Sequence, residues 1–279
     1  MTSIAIITDD ASQCFFETDP VNVNILQIKH LFSSFKTANQ PNKTPEQFFP
    51  DFLPLKSSPI ISPPNIVEVS AQLVKFIRDF DEIFCITVTR GIDSIYSIFE
   101  DVSVKLKGRA NFRLIDSQTL SAGQGYLVHR TIQLIQHNIP AFKIEEILRE
   151  EIPGIYTLLC TPNLSYLYAS GFVDAGQVIS GEQYTLYPIF GLEDGVFTAL
   201  EKQKNIHGAI EYFIEFISEY DKLKEVVFLH PLRHPITEAI NLKQYMHENF
   251  PNVRYSEINC NEFMTHLIGP KGFGLIVVE

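Results

Sequence analysis

Residues 3–10 read Ser-Ile-Ala-Ile-Ile-Thr-Asp-Asp, an apolar run that ends in polar and acidic side chains. The stretch 4–7 is short, continuous and rich in β-branched residues, which is typical of a parallel strand covered on both faces. Similar runs recur at 83–88, 112–115, 155–160 and 226–229. Helical patterns lie between them, at 67–80, 92–106, 124–137 and 206–220. This alternation of strands and helices predicts an α/β architecture.

The pattern changes in the middle of the chain. The sequence has 279 residues, of which 45% are apolar, enough to bury one large core or two smaller ones. After Ile152-Pro153-Gly154, short paired strands with a turn at Glu193-Asp194-Gly195 replace the regular alternation. We therefore predict an N-terminal parallel-sheet α/β domain over residues 1–153 and a C-terminal mixed-sheet α/β domain over residues 154–279.

Charge and hydropathy exclude several classes of partner. The chain carries 22 Lys and Arg against 33 Asp and Glu, a formal net charge of -11. Because an acidic surface repels phosphate backbones and the sequence has no basic stripe, we expect no nucleic-acid partner. The N-terminus lacks the basic start of a signal peptide, and no apolar run approaches the ~20 residues of a membrane span. We expect a cytoplasmic protein without a membrane span.

Metal and thiol chemistry receive little support from the residue spacing. The cysteines stand singly, at Cys14, Cys85, Cys160 and Cys260, so we expect reduced and mostly buried thiols. His230 and His234 have the i, i+4 spacing of a helical metal pair. The prolines that follow each of them break such a helix, which favours a surface turn.

Three other motifs each have two interpretations. Asp9-Asp10 could hold magnesium at a strand end, although a turn or a helix cap is favoured. The segment Ser121-Ala-Gly-Gln-Gly125 could receive an anion at a helix start, although close packing through glycine is favoured. His266 could be a packed histidine, the interpretation that spacing alone favours. With no nucleophile elbow, acid/base pair or serine–lysine dyad, we predict no catalysis, no metal and no cofactor.

Seven segments resemble, in sequence and in order, the DegV family. They are SIAIITDDAS, SSPIISPPN, ITVTRGIDSIYS, LIDSQTLSAGQG, TPNLSYLYASGFV, YPIFGLEDGVF and THLIGPKGFG. The resemblance covers nearly the whole chain, and its most specific match is Asp116-Ser117 with Ser121, Gly123 and Gly125. It implies a two-domain DegV-like fold with a lipid tunnel at the domain interface. There a long-chain fatty acid would place its carboxylate among hydroxyl groups and a histidine.

The resemblance also implies which residues bind the ligand. These are Ser62, Thr89, Asp93, Ser94 and His266. Asp93 stands where the family has a serine, and an ionised Asp93 beside a carboxylate would raise one pKa or expel the ligand. A shift by one residue would instead present Ser94. The family has a basic residue after the DG turn, for which Lys202 or Lys204 is the implied counterpart and a candidate contact for a partner or a phosphate. The family's arginine after the paired glycines is Phe172 here.

Three functions remain open at this point. The leading one is a non-enzymatic lipid-binding protein that sequesters a long-chain fatty acid and presents it to a fatty-acid kinase subunit. The second is a binder of a lipid-like ligand without a carboxylate, in which Asp93 recognises an amine or hydroxyl head and repels acids. The third is a scaffold or regulatory protein that keeps the fold and has filled the tunnel.

Overall fold

The structure is a computed structural model that describes residues 3–14, 23–32, 49, 61–232 and 235–279. It divides into two compact units, each made of several chain segments. The first comprises Met1–Leu31, Ser62–Ile155 and Glu193–Val196, and the second Phe32–Ile61, Tyr156–Leu192 and Phe197–Glu279. The predicted bounds 1–153 and 154–279 are contiguous and so differ from these units. As bounds of folding domains they stay a prediction.

The regular elements of the described residues are named here in chain order. The strands are β1 (Ile4–Asp9), β2 (Asn24–Ile28), β3 (Leu31–Phe32), β4 (Ile61–Ser62), β5 (Glu82–Thr87), β6 (Asn111–Asp116), β7 (Ile155–Cys160), β8 (Tyr187–Glu193), β9 (Val196–Gln203), β10 (Glu225–His230), β11 (Arg254–Asn259) and β12 (Phe273–Val278). The helices are α1 (Ile66–Phe76), α2 (Ile95–Lys105), α3 (Ser121–Gln136), α4 (Ala141–Glu151), α5 (Leu164–Ala169), α6 (Ala175–Gln183), α7 (Ile206–Ser218), α8 (Ala239–Asn249) and α9 (Glu262–Ile268).

The first unit is built on a parallel sheet of four strands in the order β2-β1-β5-β6. The central strand β5 is buried at every residue, as its continuous apolar sequence predicts. The edge strand β2 is mostly exposed, and Asn24 and Gln27 keep it from forming a continuous apolar run, so it was not predicted. Strand order reverses between β1 and β5. In open α/β sheets the carboxyl ends of the strands at such a reversal form the crevice that binds ligands.

The second unit is built on a mixed sheet of six strands in the order β11-β10-β12-β7-β8-β9. Strand β10 runs parallel to β11 and antiparallel to β12. Its core contains three fully buried rings, Phe213, Phe228 and Phe273, whose centroids lie 5.9–6.5 Å apart. Burying each such side chain contributes about 1.5–3 kcal/mol to folding. A parallel sheet and a mixed sheet confirm the predicted α/β fold class.

The predicted turn at residues 193–195 joins β8 to β9 as a hairpin. Asp194 and Gly195 have φ angles of 49° and 78°, the left-handed conformation that a two-residue hairpin turn requires. Glycine adopts it without strain, which explains the Asp-Gly sequence. Within the part of the chain that the structure describes, no helix is both long and apolar enough to cross a bilayer.

Candidate functional site

Asp9 ends β1 and anchors the carboxyl edge of the first sheet. Its carboxylate accepts hydrogen bonds from the backbone N–H of Ala11 at 3.0 Å and of Val88 at 2.8 Å, and from Gln124 Nε2 at 3.1 Å. Burial raises the pKa of Asp9 to about 6, although the charge of His30 and these hydrogen bonds oppose the rise. The bond to Ala11 is the Asx turn expected of an aspartate at this position. The turn interpretation of Asp9 is therefore confirmed.

Beside Asp9, a histidine lies between two carboxylates. His30 Nδ1 lies 2.5 Å from Asp10 Oδ1, and His30 Nε2 lies 3.4 Å from Asp93 Oδ1. The side chain of His30 is fully buried. Burial alone would lower the pKa of His30, but its hydrogen bond to Asp10, with the nearby charges of Asp93 and Asp9, raises it to about 10. His30 is therefore an imidazolium at neutral pH.

The parallel sheet brings these residues together. Asp9 pairs with Ile28 in the register between β1 and β2, so the residues that follow each strand meet at the same edge. His30 comes two residues after β2, and Asp93 lies in the loop that follows β5. His30 was not predicted as a site residue from the sequence. The available signal was a polar residue after a strand, but β2 was itself not predicted.

Asp9, Asp10 and His30 also meet the distance criterion for a metal cluster. One ligand atom of each lies within 4.8 Å of the others. A histidine must be neutral to bind a metal, because the metal competes with the proton for the same nitrogen. Here both ring nitrogens of His30 face carboxylates, at 2.5 Å from Asp10 and 3.4 Å from Asp93. The same contacts therefore also form ion pairs when the ring is protonated.

Asp93 caps the start of α2 with its own carboxylate. Its Oδ1 accepts a hydrogen bond from the backbone N–H of Ile95 at 2.7 Å, and its side chain is only 7% exposed. Ser94 is the N-cap residue by position; it is exposed, and its side chain makes no capping hydrogen bond. A helix N-terminus attracts negative charge through its free N–H groups and its dipole. In this chain an internal carboxylate occupies that place.

Thr89 holds a backbone turn of the same unit. Its buried hydroxyl donates to the carbonyl oxygen of Gly195 at 2.8 Å and accepts from the N–H of Gly91 at 3.2 Å. A Cβ at Gly91 would lie 2.1 Å from that carbonyl oxygen, so only glycine permits this approach. A contact of Thr89 with a ligand stays a prediction.

His266 lies in α9 of the second unit among aromatic rings. Its ring stacks on Phe32 with centroids 4.4 Å apart and meets Phe49 edge-on at 4.7 Å. Nδ1 lies 2.9 Å from the carbonyl oxygen of Glu262 and must donate, because a carbonyl only accepts. Nε2 is then an acceptor in the neutral ring and a donor in the imidazolium. The packed interpretation of His266 is confirmed, and its role in ligand binding stays a prediction.

The other predicted site residues lie in or next to strands. Ser62 is half-buried in β4, which pairs with β3. Lys202 is exposed in β9, and Lys204 is exposed just after it. Lys202 lines a cavity of about 610 Å³ that lies wholly within the second unit.

That cavity has a largely apolar wall with a polar rim. Its apolar residues come from α5, α6 and the strands β8 and β9 with their flanks, and they include Leu164, Leu186, Pro188, Phe190 and Leu200. Its polar residues include Asp174, Gln177, Ser180, Glu201 and Lys202. Ligand cavities of proteins measure about 300–1,000 Å³ and combine apolar walls with a few polar groups. In size and lining, this cavity suits an amphiphile.

Comparison with known proteins identifies the family. A profile of the DegV family, described as "Uncharacterised protein, DegV family", matches residues 3–279. The chain belongs to the DegV family. A DegV domain-containing protein of Staphylococcus aureus (strain COL) is 22% identical over 283 residues, which cover 100% of both chains.

Solved structures of DegV proteins share the fold. A fatty acid binding DegV family protein from Streptococcus agalactiae superposes with a TM-score of 0.83 at 16% identity, over 100% of both chains. The Fatty Acid Kinase (Fak) B3 protein of Streptococcus pneumoniae, loaded with linoleic acid, gives a TM-score of 0.80 at 13% identity. That match covers 100% of this chain and 99% of the pneumococcal one.

This DegV protein also contains the glycine packing that its sequence favours. A Cβ at Gly125 would lie 2.0 Å from the carbonyl oxygen of Gln13, and one at Gly123 would lie 2.3 Å from Thr119 Oγ1. The small residues of α3 therefore let the loop after β1 lie against the helix. The close-packing interpretation of residues 121–125 is confirmed.

The remaining motifs have structural uses. His230 Nδ1 accepts from the N–H of Ile236 at 3.1 Å, so Nε2 donates to Glu257 at 2.9 Å. Its predicted partner, His234, lies outside the described residues. The expectation of mostly buried thiols is confirmed, since Cys14 is exposed and the other three free cysteines are buried.

Proposed function

We propose that this DegV protein binds a long-chain fatty acid, or a closely related amphiphile, without catalysing a reaction on it. The observation that carries the proposal is the whole-chain likeness, in family and fold, to proteins described as fatty-acid binding or loaded with linoleic acid. The apolar cavity of the second unit supports it. Each buried CH₂ group of an acyl chain contributes about 0.8 kcal/mol, so a long chain binds tightly with few polar contacts.

The polar head of the ligand needs donors, and the predicted residues supply them. Ser62 and Ser94 carry hydroxyl groups, and His266 has its Nδ1 engaged with a backbone carbonyl. A hydroxyl or a protonated ring nitrogen donates to a carboxylate oxygen. We assign these three residues, with Thr89 and Asp93, to head-group binding.

Presentation of the bound acid to a kinase is the finer part of the proposal. The pneumococcal relative is named as a component of a fatty-acid kinase. Lys202 and Lys204 are exposed cations next to each other on β9 and its flank. As point charges they suit a contact with a partner's acidic surface or with a phosphate.

Lipid extraction and thermal unfolding test the proposal together. Mass spectrometry of an organic extract of the purified protein should show a fatty acid bound in a defined ratio. The delipidated protein should gain thermal stability with palmitic acid, because a ligand that binds only the folded state stabilises it. No extracted lipid and no thermal shift with any acid, alcohol or amine would refute lipid binding and favour the scaffold with a filled tunnel.

A second candidate function follows from the position of Asp93. Its carboxylate already occupies the N-terminal end of α2, where another anion would be attracted. That placement favours an amine or hydroxyl head over a carboxylate. Asp93→Ser should then strengthen binding of palmitic acid and weaken binding of hexadecylamine. Unchanged affinity for both would remove Asp93 from the head-group site and leave Ser94 as the contact.

A further inference from the structure

We propose that His30 determines head-group specificity: its imidazolium offsets part of the negative charge at Asp93, so that the loop before α2 accepts a carboxylate although it carries an acid of its own. This inference rests on the proposed lipid binding and names the residue that decides between its two head-group classes. His30 was not among the residues that the sequence singled out.

The geometry makes His30 the direct counter-charge of Asp93. His30 Nε2 lies 3.4 Å from Asp93 Oδ1, and Asp10 holds the other ring nitrogen at 2.5 Å. The backbone N–H of His30 also donates to Asp10 at 3.1 Å, which fixes the residue from two sides. The contact of Nδ1 with Asp10 orients the ring, and this orientation places Nε2 within ion-pair distance of Asp93.

Burial makes this counter-charge effective. The side chains of His30 and Asp93 are 0% and 7% exposed, so little water screens the charges. Among the residues that the structure describes, the charged groups that act on His30 are Asp10, Asp93 and Asp9. Without the imidazolium, three carboxylates would lie together at the crevice between β1 and β5. A fourth carboxylate beside Ser94 would be repelled.

The role of Asp93 as a helix cap explains why its neighbour must carry a positive charge, which a neutral hydrogen-bond donor would not supply. Its Oδ1 accepts from the N–H of Ile95, so the helix end is already satisfied by an internal anion. The imidazolium lets the carboxylate of Asp93 remain in place as a helix cap while it offsets part of the negative charge there. The head group then meets the exposed Ser94 hydroxyl with less repulsion than the carboxylates alone would exert.

The test measures head-group preference at constant acyl chain. Palmitic acid, hexadecanol and hexadecylamine are titrated into delipidated wild-type protein, His30→Gln, and the control His207→Gln, whose exposed ring pairs with Glu211. His30→Gln should weaken palmitic acid about tenfold relative to hexadecanol, which corresponds to about 1.4 kcal/mol. The same variant should bind hexadecylamine more tightly than wild type does. Adding Asp93→Ser to His30→Gln should restore the affinity for palmitic acid. An unchanged acid-to-alcohol ratio in His30→Gln overturns the inference.

Two further measurements keep the inference testable if His30→Gln does not fold. Ring-nitrogen chemical shifts of His30 in wild-type protein at pH 7 should be those of an imidazolium, and a neutral ring overturns the inference. Asp93→Asn keeps an acceptor for Ile95 and should shift the preference towards palmitic acid; an unshifted preference also overturns it. Failure of the proposed function gives a different result, because wild type and every variant would bind none of the three lipids.

Discussion

His30 and His266 are both buried histidines, yet their surroundings are opposite. His30 lies between the carboxylates of Asp10 and Asp93. His266 lies between the rings of Phe32 and Phe49, with Nδ1 on a neutral carbonyl. The first environment fixes a charge, whereas the second fixes a ring orientation by packing and by the hydrogen bond of Nδ1 to the carbonyl oxygen of Glu262. The same side chain therefore serves electrostatics in the first unit and shape in the second.

Removing the charge should have the largest effect on stability. His30→Leu leaves Asp10 and Asp93 buried without their counter-charge, and breaking a buried ion pair in this way costs about 3–5 kcal/mol. Urea unfolding should show this loss. The control His207→Leu removes an exposed pair with Glu211 and should cost at most about 1 kcal/mol. Equal losses in the two variants would contradict the ion-pair network.

The pH dependence of stability should report the charge of His30. The pKa of His30 rises from 6.5 to about 10 on folding, so the folded protein holds its proton more tightly. Its contribution to stability is fully present below pH 6.5 and is lost as the pH rises towards 10. Between these values wild type should lose up to about 1.4 kcal/mol per pH unit relative to His30→Gln. Parallel curves for the two proteins, by urea unfolding at each pH, would contradict the raised pKa.

Substitution of His266 should lower the affinity for the ligand without removing a buried ion pair. His266→Ala should weaken palmitic acid binding by about 1–3 kcal/mol if the ring satisfies a buried polar head. His266→Phe should lose the same affinity but keep more stability, because it can still pack against Phe32. Titration and thermal unfolding measure the two effects, with the exposed His247→Ala as control. Full affinity in His266→Phe would leave His266 a packing residue only.

The smallest effect on lipid affinity is expected at the exposed lysines. The double variant Lys202→Ala/Lys204→Ala should lose at most about 1 kcal/mol of palmitic acid affinity, because only Lys202 lines the cavity and an exposed charge contributes little. Acyl-phosphate formation with ATP and a bacterial fatty-acid kinase should fall about tenfold, the effect of losing about 1.4 kcal/mol at the contact. Lys222→Ala/Lys243→Ala removes two other exposed lysines as the control. Equal turnover in both double variants would remove these lysines from partner binding.

The fold class was predictable because buried strands have continuous apolar sequences. The runs that became β1 and β5 are continuous and apolar, since both faces of each strand are covered. The edge strand β2 is exposed at most positions, so the polar side chains of Asn24 and Gln27 do not destabilise it. They also interrupt the apolar run by which a buried strand is recognised. Short-range pattern therefore locates the centre of a sheet more readily than its edge.

The site was predictable only in part for the same reason. Asp93 could be predicted as a site residue because it is an acid at a position where the family has a serine. His30 did not, because its proximity to Asp93 depends on the register of β2 against β1, which is a tertiary feature. The hydroxyl of Thr89 was predicted to contact a ligand, whereas in the structure it donates a hydrogen bond to the carbonyl oxygen of Gly195.

The hydrogen bond between Thr89 and Gly195 has a consequence for synthesis on the ribosome. The first unit includes residues 193–196, so two segments of the second unit, 32–61 and 156–192, are synthesised before the acceptor for Thr89 exists. That acceptor, Gly195, lies 106 residues after Thr89. Chains grow at about 5–20 residues per second, so this loop waits for seconds with its hydroxyl and the surface at Gly91 uncovered. The N-terminal half of the nascent chain completes its hydrogen bonding only after translation has passed the hairpin.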